Sequence, residues 1–213
     1  MVTNKRSVMT LFSNAMDPYS HQVRIVLAEK GVPAELVEVD LDDKPDEIWD
    51  LNPYGQVPTL VDRDLVLYQS NIILEYLEER FPHPPLMSVY PVARARNRLM
   101  VLRVDRDWYS LVDKIQTGTK DEANKARNEL RDSLTSVAPV FDDSPYFLSD
   151  EFSLVDCSLG ALLWRLPIYG VEIPEAQGRS IERYMERIFN RDSFQASLSD
   201  AEREIREPLG EKQ

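Results

Sequence analysis

The chain has 213 residues and a net charge of −12, from 37 acidic and 25 basic side chains. Such a chain lacks the basic footprint that binding to a nucleic-acid backbone needs, so we expect a soluble protein that binds other proteins. No apolar run reaches the length of a membrane span. The single cysteine, Cys157, excludes an internal disulfide and favours the reducing cytoplasm. It lies in an apolar helical run, where a free cysteine usually packs as a small hydrophobic side chain.

The first half of the chain alternates strand and helix patterns. Strands are predicted at 7–12, at 36–39 and in the two arms of a hairpin at 56–60 and 65–68, and helices at 21–30, 46–51 and 70–81. Gly31 suits the end of the first helix, where the backbone often turns left-handed. The apolar residues at 8–12 are too few for the core of a signal peptide and favour a strand. The order βαβα-ββα predicts a thioredoxin-like α/β domain.

A proline-rich segment separates this half from the rest. Four prolines fall within ten residues: Pro82, Pro84, Pro85 and Pro91. Proline ends a helix and stiffens the chain that follows, so this segment is the best domain boundary. We expect residues 1–86 to form the α/β domain and residues 92–213 to form an all-helical one.

The second half shows only helical patterns. Helices are predicted at 92–116, 121–137, 153–169 and 180–189. The segment 153–169 is apolar almost all round, which predicts a buried central helix. Ser153 and Asp156 form a capping-box pattern at its start. The residues after Asp200 are polar, and we expect them to fray.

The most informative motif is the stretch 55–60 with Gln69 and Ser70 after it. Proline at the start of a strand usually lies at an edge, a bulge or a cis bond, and we predict that Pro58 is cis. This leaves the backbone of Val57 free to pair with a group outside the sheet. Gln69 and Ser70 open a helix, where side-chain and backbone donors can hold a carboxylate.

This arrangement resembles the glutathione site of the glutathione S-transferase superfamily. The resemblance implies an N-terminal thioredoxin-like domain followed by an all-α domain. It also implies that Val57, before cis-Pro58, would bind the cysteinyl backbone of glutathione. Gln69 and Ser70 would hold its γ-glutamyl group.

The catalytic position departs from that superfamily. Related members carry a nucleophilic or donating Cys or Ser before the first helix, and counting back along the helix places Asp17 there. A carboxylate only accepts hydrogen bonds and would repel a thiolate, so we predict no catalytic residue. Tyr19 or Ser20 could replace the donor, which keeps a working glutathione-dependent enzyme as the second interpretation. A simpler alternative is that Asp17 and Ser20 only cap the helix.

Further segments narrow the resemblance to one family. The segments that carry it are 4–13, 81–94, 145–157, 192–194 and 201–204. Together they resemble bacterial proteins of the stringent starvation protein A family. The resemblance implies a transferase-like fold without transferase activity, which associates with RNA polymerase as a transcription regulator in starvation and acid stress. It assigns the polymerase contact to Pro82, His83 and Pro84 with Tyr90.

The remaining expectations concern other partners. His83 has no cluster of Cys, His or carboxylates around it in the sequence, so neither a metal site nor a cofactor is expected. A metal or nucleic-acid module is the most remote interpretation. The family resemblance implies a homodimer. Five arginines would lie along the helix after the linker: Arg94, Arg96, Arg98, Arg103 and Arg106. They either meet acidic residues across the dimer interface or pair locally with Asp105 and Asp107.

Overall fold

The computed structural model describes residues 8–206, apart from the side chains of residues 176 and 177. Four strands form one sheet: β1 Met9–Ser13, β2 Ala34–Glu38, β3 Thr59–Asp62 and β4 Leu65–Tyr68. The strand order is β2-β1-β3-β4, with β1 and β2 parallel and the other pairs antiparallel. A parallel pair needs a crossover connection, and a helix supplies it here. The predicted residue 7 of the first strand lies outside the described residues.

Three helices accompany the sheet: α1 Pro18–Glu29, α2 Asp46–Leu51 and α3 Ser70–Arg80. The prediction started α1 at His21, three residues late, because the apolar residues that mark the helix lie only after this position. Asp17 is the N-cap and Pro18 is the first helical residue, a position where proline loses nothing because its missing N–H would be unpaired anyway. The peptide bond between Val57 and Pro58 is cis, as predicted.

The second half is helical. Its helices are α4 Pro91–Val104, α5 Ser110–Thr117, α6 Lys120–Ser136, α7 Leu154–Trp164, α8 Leu166–Tyr169, α9 Glu175–Phe189, α10 Asp192–Ser197 and α11 Asp200–Glu204. Within the described part of this half, the only β feature is an isolated bridge between Tyr146 and Ser149. An α/β unit followed by an all-α unit is therefore confirmed as the fold class. None of the helices in residues 8–206 is both long and apolar enough to cross a membrane.

Two predicted helices are divided in the structure. The one at 92–116 is interrupted by π-helical turns at Asp105–Tyr109, which let both Trp108 and Tyr109 face the core. Trp108 Nε1 donates to Ser133 Oγ at 2.9 Å, and the hydroxyl of Tyr109 donates to the Ser158 carbonyl at 2.8 Å. The one at 153–169 divides after Trp164, because Pro167 cannot continue the hydrogen-bond ladder.

The central helix α7 is buried along its whole length, as predicted. The capping box is present: the Ser153 backbone N–H and hydroxyl both donate to Asp156 Oδ2 at 2.9 Å. Asp156 Oδ1 also accepts from the Tyr184 hydroxyl at 2.6 Å and from the backbone N–H of Phe147 at 2.9 Å. Cys157, in the next position, is fully buried in the core cluster, and burial raises the pKa of its thiol well above the ordinary value. The thiol is therefore an inert core group.

The expectation that the residues after Asp200 fray is wrong for residues 201–206, and residues 207–213 lie outside the described residues. Glu202, in α11, is fully buried, and its Oε1 atom accepts hydrogen bonds from Arg24 Nη2 at 2.6 Å and from Arg165 Nη2. Its Oε2 atom accepts from the backbone N–H and the hydroxyl of Ser199, both at 2.8 Å. Polarity alone suggested a free end, but this carboxylate is the counter-charge for two buried guanidinium groups.

His21 completes the buried cluster as a neutral ring. Burial, and then the charges of Arg165 and Arg24, lower the pKa of His21 well below its ordinary value. The ring accepts from Arg165 Nη1 at Nδ1, over 2.7 Å, and therefore donates from Nε2 to Ser197 Oγ at 3.0 Å. The histidine thereby ties α1 to α10 as well as to the end of α7.

We expect Glu202→Ala to lower the free energy of unfolding by about 3–5 kcal/mol, because two buried guanidinium groups lose their counter-charge. Urea denaturation at pH 7, followed by far-UV circular dichroism, measures this loss. Glu204→Ala is the matched control, since Glu204 is exposed, and it should cost no more than about 0.5 kcal/mol. Equal losses in the two variants would contradict the role given to Glu202.

Candidate functional site

The linker between α3 and α4 is fixed from inside by a buried ion pair. Glu78 on α3 accepts hydrogen bonds from the backbone N–H groups of Leu86 at 3.0 Å and Met87 at 3.1 Å. The Lys30 ammonium, at the end of α1, binds the same carboxylate and donates to the Pro84 carbonyl at 2.6 Å. Charge-assisted hydrogen bonds of this kind are strong and directional. The backbone of the linker is therefore held in one conformation.

The outer side of this linker is exposed. Pro82, His83 and Pro84 all face solvent. Tyr90 is 73% exposed, and its neighbour Val89 is 79% exposed. The Tyr90 carbonyl accepts from Arg94 N at 2.8 Å, which places the ring at the start of α4. Exposed apolar and aromatic groups on a rigid segment are typical of a protein-binding surface.

Sequence reasoning missed Lys30 and Glu78. The signal was present in α3, where Glu78 follows Leu77 and lies four residues after Leu74, on the face that packs into the core. A carboxylate on an apolar face needs a partner, because an unpaired buried charge is costly. The sequence did not show which cation provides it.

A cavity of about 460 Å³ lies beside the linker. Its walls come from linker residues 85–88, from α4 and from the segment 147–155. Pro82, His83, Pro84 and Tyr90 do not line it. The predicted contact residues therefore form a surface, and the cavity is a separate feature next to it.

The residues of the glutathione-like motif do come together. In the hairpin Thr59 pairs with Tyr68, so Pro58, just before β3, and Gln69, just after β4, lie at the same end of the hairpin. Gln69 has φ of +71°, a left-handed conformation, and its side-chain amide donates to Gln56 Oε1 at 3.4 Å. Ser70 is buried at the first turn of α3, and Val57 is half-buried.

Asp17 caps α1, as the simpler alternative predicts, but the same prediction for the Ser20 side chain is wrong, because its Oγ atom bonds the loop before the helix. Its Oδ2 atom accepts from the Ser20 backbone N–H at 2.6 Å. Burial raises the pKa of Asp17, while the hydrogen bonds from Ser20 and the charge of Arg165 lower it. The Ser20 side chain is fully buried and its Oγ atom accepts from Asn14 N at 3.3 Å, so it faces the protein interior.

Tyr19 is the remaining hydroxyl at this position. It donates to Asp113 Oδ2 at 3.4 Å, and its ring packs on Tyr109 with a centroid distance of 4.8 Å. Burial raises the pKa of Tyr19 far above its ordinary value, and the carboxylates of Asp113, Asp105 and Asp17 raise it further. A thiolate placed here would meet several carboxylates, so the electrostatics oppose glutathione chemistry.

The arginines of α4 pair mostly within the chain. Arg103 meets Asp107 at 3.4 Å, as the local alternative predicts. Two others pair with α3 instead of the predicted Asp105: Arg98 binds Glu75 at 2.7–3.0 Å, and Arg94 lies 3.4 Å from Glu79. These pairs fasten α4 to α3 across the linker. Arg96 and Arg106 make no ion pair with the described residues.

Comparisons with known proteins agree with this fold. Family models of the glutathione S-transferase N-terminal and C-terminal domains match residues 7–79 and 99–192. The glutathione transferase Omega 3C of Trametes versicolor is 28% identical, with a TM-score of 0.78 over 91% of this chain and 85% of that chain. A stringent starvation protein A homologue of Haemophilus influenzae is 56% identical over 93% of this chain and 94% of that protein. One of Coxiella burnetii is 52% identical over 97% and 99%.

The fold and the family matches define a protein built on the glutathione S-transferase fold. Within that class, the chain belongs to the stringent starvation protein A family.

Proposed function

We propose that this protein is a cytoplasmic transcription regulator of the starvation and acid-stress response, which associates with RNA polymerase and has no transferase activity. Membership of the stringent starvation protein A family supports the proposal, because the resemblance noted from the sequence implies this role. The cytoplasm is where polymerase works, and the single buried cysteine suits a reducing compartment.

We assign the polymerase contact to Pro82, His83, Pro84 and Tyr90. One observation carries the assignment: the outer side chains of the linker are exposed, while Lys30 and Glu78 hold its backbone from the protein interior. A pre-ordered segment loses little conformational entropy on docking, so more of its contact energy remains for affinity. We keep the division into domains 1–86 and 92–213 as part of this proposal, with the linker between them as the contact.

The second candidate is a glutathione-dependent transferase. The juxtaposition of Val57, Gln69 and Ser70 favours it, since this end of the hairpin retains the layout of a glutathione site. Asp17 and the engaged Tyr19 hydroxyl oppose it, because neither offers a free donor to a thiolate.

We also propose a homodimer. The helix α4 exposes Val92, Leu99 and Leu102 at 66%, 53% and 44%. Since most of its arginines are satisfied within the chain, apolar contact is the better basis for self-association than the ion pairs expected from the sequence.

For the polymerase contact, we expect the triple variant Pro82→Ala, His83→Ala, Pro84→Ala to lose co-purification with RNA polymerase while remaining folded. The side chains are exposed, and the Pro84 carbonyl that binds Lys30 survives the change. Tyr90→Ala should weaken binding by about 2 kcal/mol or more. A pull-down, with circular dichroism as the folding control, measures both.

The matched control replaces three exposed prolines outside the linker, Pro33, Pro53 and Pro139, by alanine. This variant should retain polymerase. If the folded linker variant still co-purifies with RNA polymerase, the assignment of the contact to this linker is refuted, but the association itself is not. If the wild-type protein never co-purifies with RNA polymerase, the proposed function is refuted.

For self-association, we expect light scattering to give a dimer mass for the wild type and a monomer mass for Leu99→Glu with Leu102→Glu, because two charges would have to be buried. Leu41→Glu with Ile168→Glu changes two similarly exposed apolar residues elsewhere and should remain dimeric. A wild-type mass that stays monomeric at every concentration refutes the dimer.

For catalysis, we expect glutathione transfer to chlorodinitrobenzene to stay at background. Asp17→Ser should restore weak glutathione binding in an equilibrium titration, because serine caps a helix as well as aspartate but carries no charge. Asp107→Ser, at an exposed position, is the control and should bind none. Robust turnover by the unmodified protein would contradict this prediction and support a glutathione-dependent transferase instead.

A further inference from the structure

The cavity of about 460 Å³ beside the linker has a largely apolar wall. Leu86 and Met87 contribute to it from the linker, and Phe147 and Phe152 contribute from the segment before α7. All four side chains are buried members of the hydrophobic core, so the cavity reaches from the surface to the core. Its volume lies within the range of small-ligand sites in proteins. The interior can therefore take a large apolar group.

One buried polar atom in this wall has no partner. Asn97, on α4, lines the cavity, and its Oδ1 atom is buried without a hydrogen-bond donor among the described residues. Nearly all buried polar atoms in proteins are paired. An amide oxygen only accepts hydrogen bonds, so a bound N–H group would complete this part of the wall.

The lining carries one positive and one negative side chain. These are Arg96, next to Asn97 on α4, and Glu151, in the segment before α7. Both are exposed, so they lie where the cavity meets solvent. Neither takes part in an ion pair within residues 8–206, and they do not pair with each other. The mouth of the cavity therefore offers one uncommitted charge of each sign.

The backbone at the edge of this cavity is strained. Leu148 lines the cavity, and its φ of +55° lies in the left-handed region, which leucine rarely adopts. Its side chain is 53% exposed. Backbone conformations of this kind cluster at ligand-binding sites, where the surrounding structure holds them. The exposed leucine adds apolar contact area close to the two charges.

This combination selects a ligand that carries both charges and an apolar group. A simple anion or cation would leave one of the two charged side chains unused, and neither would fill the apolar interior. We propose that the cavity binds a free apolar α-amino acid, with its carboxylate on Arg96, its ammonium group on Asn97 Oδ1 and Glu151, and its side chain in the apolar interior. Phenylalanine is the best probe, because aromatic rings pair favourably with those of Phe147 and Phe152.

The site is distinct from the other proposed sites. Neither the proposed polymerase contact, Pro82, His83, Pro84 and Tyr90, nor the glutathione-like motif lines this cavity. Leu99 lines the cavity and also belongs to the proposed dimer face, so the variants below leave it unchanged. Amino-acid binding and polymerase association can therefore fail separately.

Calorimetric titration of the full chain with L-phenylalanine tests the proposal, and we expect one saturable site. Three analogues each lack one of the recognised groups. N-acetyl-L-phenylalanine lacks the ammonium group, L-phenylalanine amide lacks the carboxylate, and glycine lacks the apolar side chain. Each should bind at least about tenfold more weakly, because it loses a charge-assisted hydrogen bond or the apolar contact.

Two charge variants locate the site. Arg96→Gln and Glu151→Gln should each weaken the binding of L-phenylalanine at least about tenfold, because each removes the partner of one charged group. The matched controls Arg106→Gln and Glu129→Gln remove the same charges from exposed positions that do not line the cavity, and they should bind as the wild type does. All four side chains are exposed, so we expect the variants to fold.

A variant that fills the cavity tests its shape. Ala93 and Ala95 are both exposed on α4, but only Ala93 lines the cavity. Ala93→Trp should therefore block binding while Ala95→Trp retains it, with thermal melts of the free proteins as the folding control. The proposal is overturned if L-phenylalanine shows no saturable binding. It is also overturned if the folded variants at positions 93, 96 and 151 bind as tightly as their controls.

Discussion

The buried carboxylate of Glu202 is the interaction on which the assembly of the two halves depends. It is the counter-charge for Arg24 on α1 and for Arg165 at the end of α7. The remaining donors of Arg165 bind the carbonyls of Ala15 and Met16, in the loop that leads into Asp17. A buried charge is stable only when it is paired and fully hydrogen-bonded, so these segments must assemble together. The last described helix therefore fixes the loop that leads into α1.

The helix α1 connects the two candidate sites. At its N-terminus the Asp17 carboxylate caps the helix and neutralises its positive end. After its last turn, Lys30 reaches Glu78 and the Pro84 carbonyl and so fixes the exposed linker. A rigid helix between them makes both sites parts of one structural unit, even though their chemistry differs.

The end of the hairpin has the layout that the sequence predicts for a glutathione site, while the residue before α1 is acidic. The cis bond before Pro58, the left-handed Gln69 and the buried Ser70 remain at the end of the hairpin. Asp17 stands before α1 where a hydroxyl or thiol could donate to sulfur, and the Tyr19 hydroxyl donates to Asp113. Backbone geometry alone therefore does not determine whether such a site binds an anionic thiol, because the sign of the nearby charge decides it.

The sequence by itself determined what depends on neighbours along the chain. The spacing of apolar residues, the helix-capping residues and the prolines are local signals, and they predicted the βαβα-ββα order, the cis bond before Pro58, the capped start of α7 and the proline-rich linker. They failed where distant residues decide: Glu202 binds Arg24 across 178 positions, and Tyr19 meets Asp113 across 94. The Lys30–Glu78 ion pair and the cavity beside the linker likewise arise only when separate elements pack together. A charged residue looks the same in sequence whether solvent or a buried partner neutralises it, and only the tertiary structure distinguishes the two.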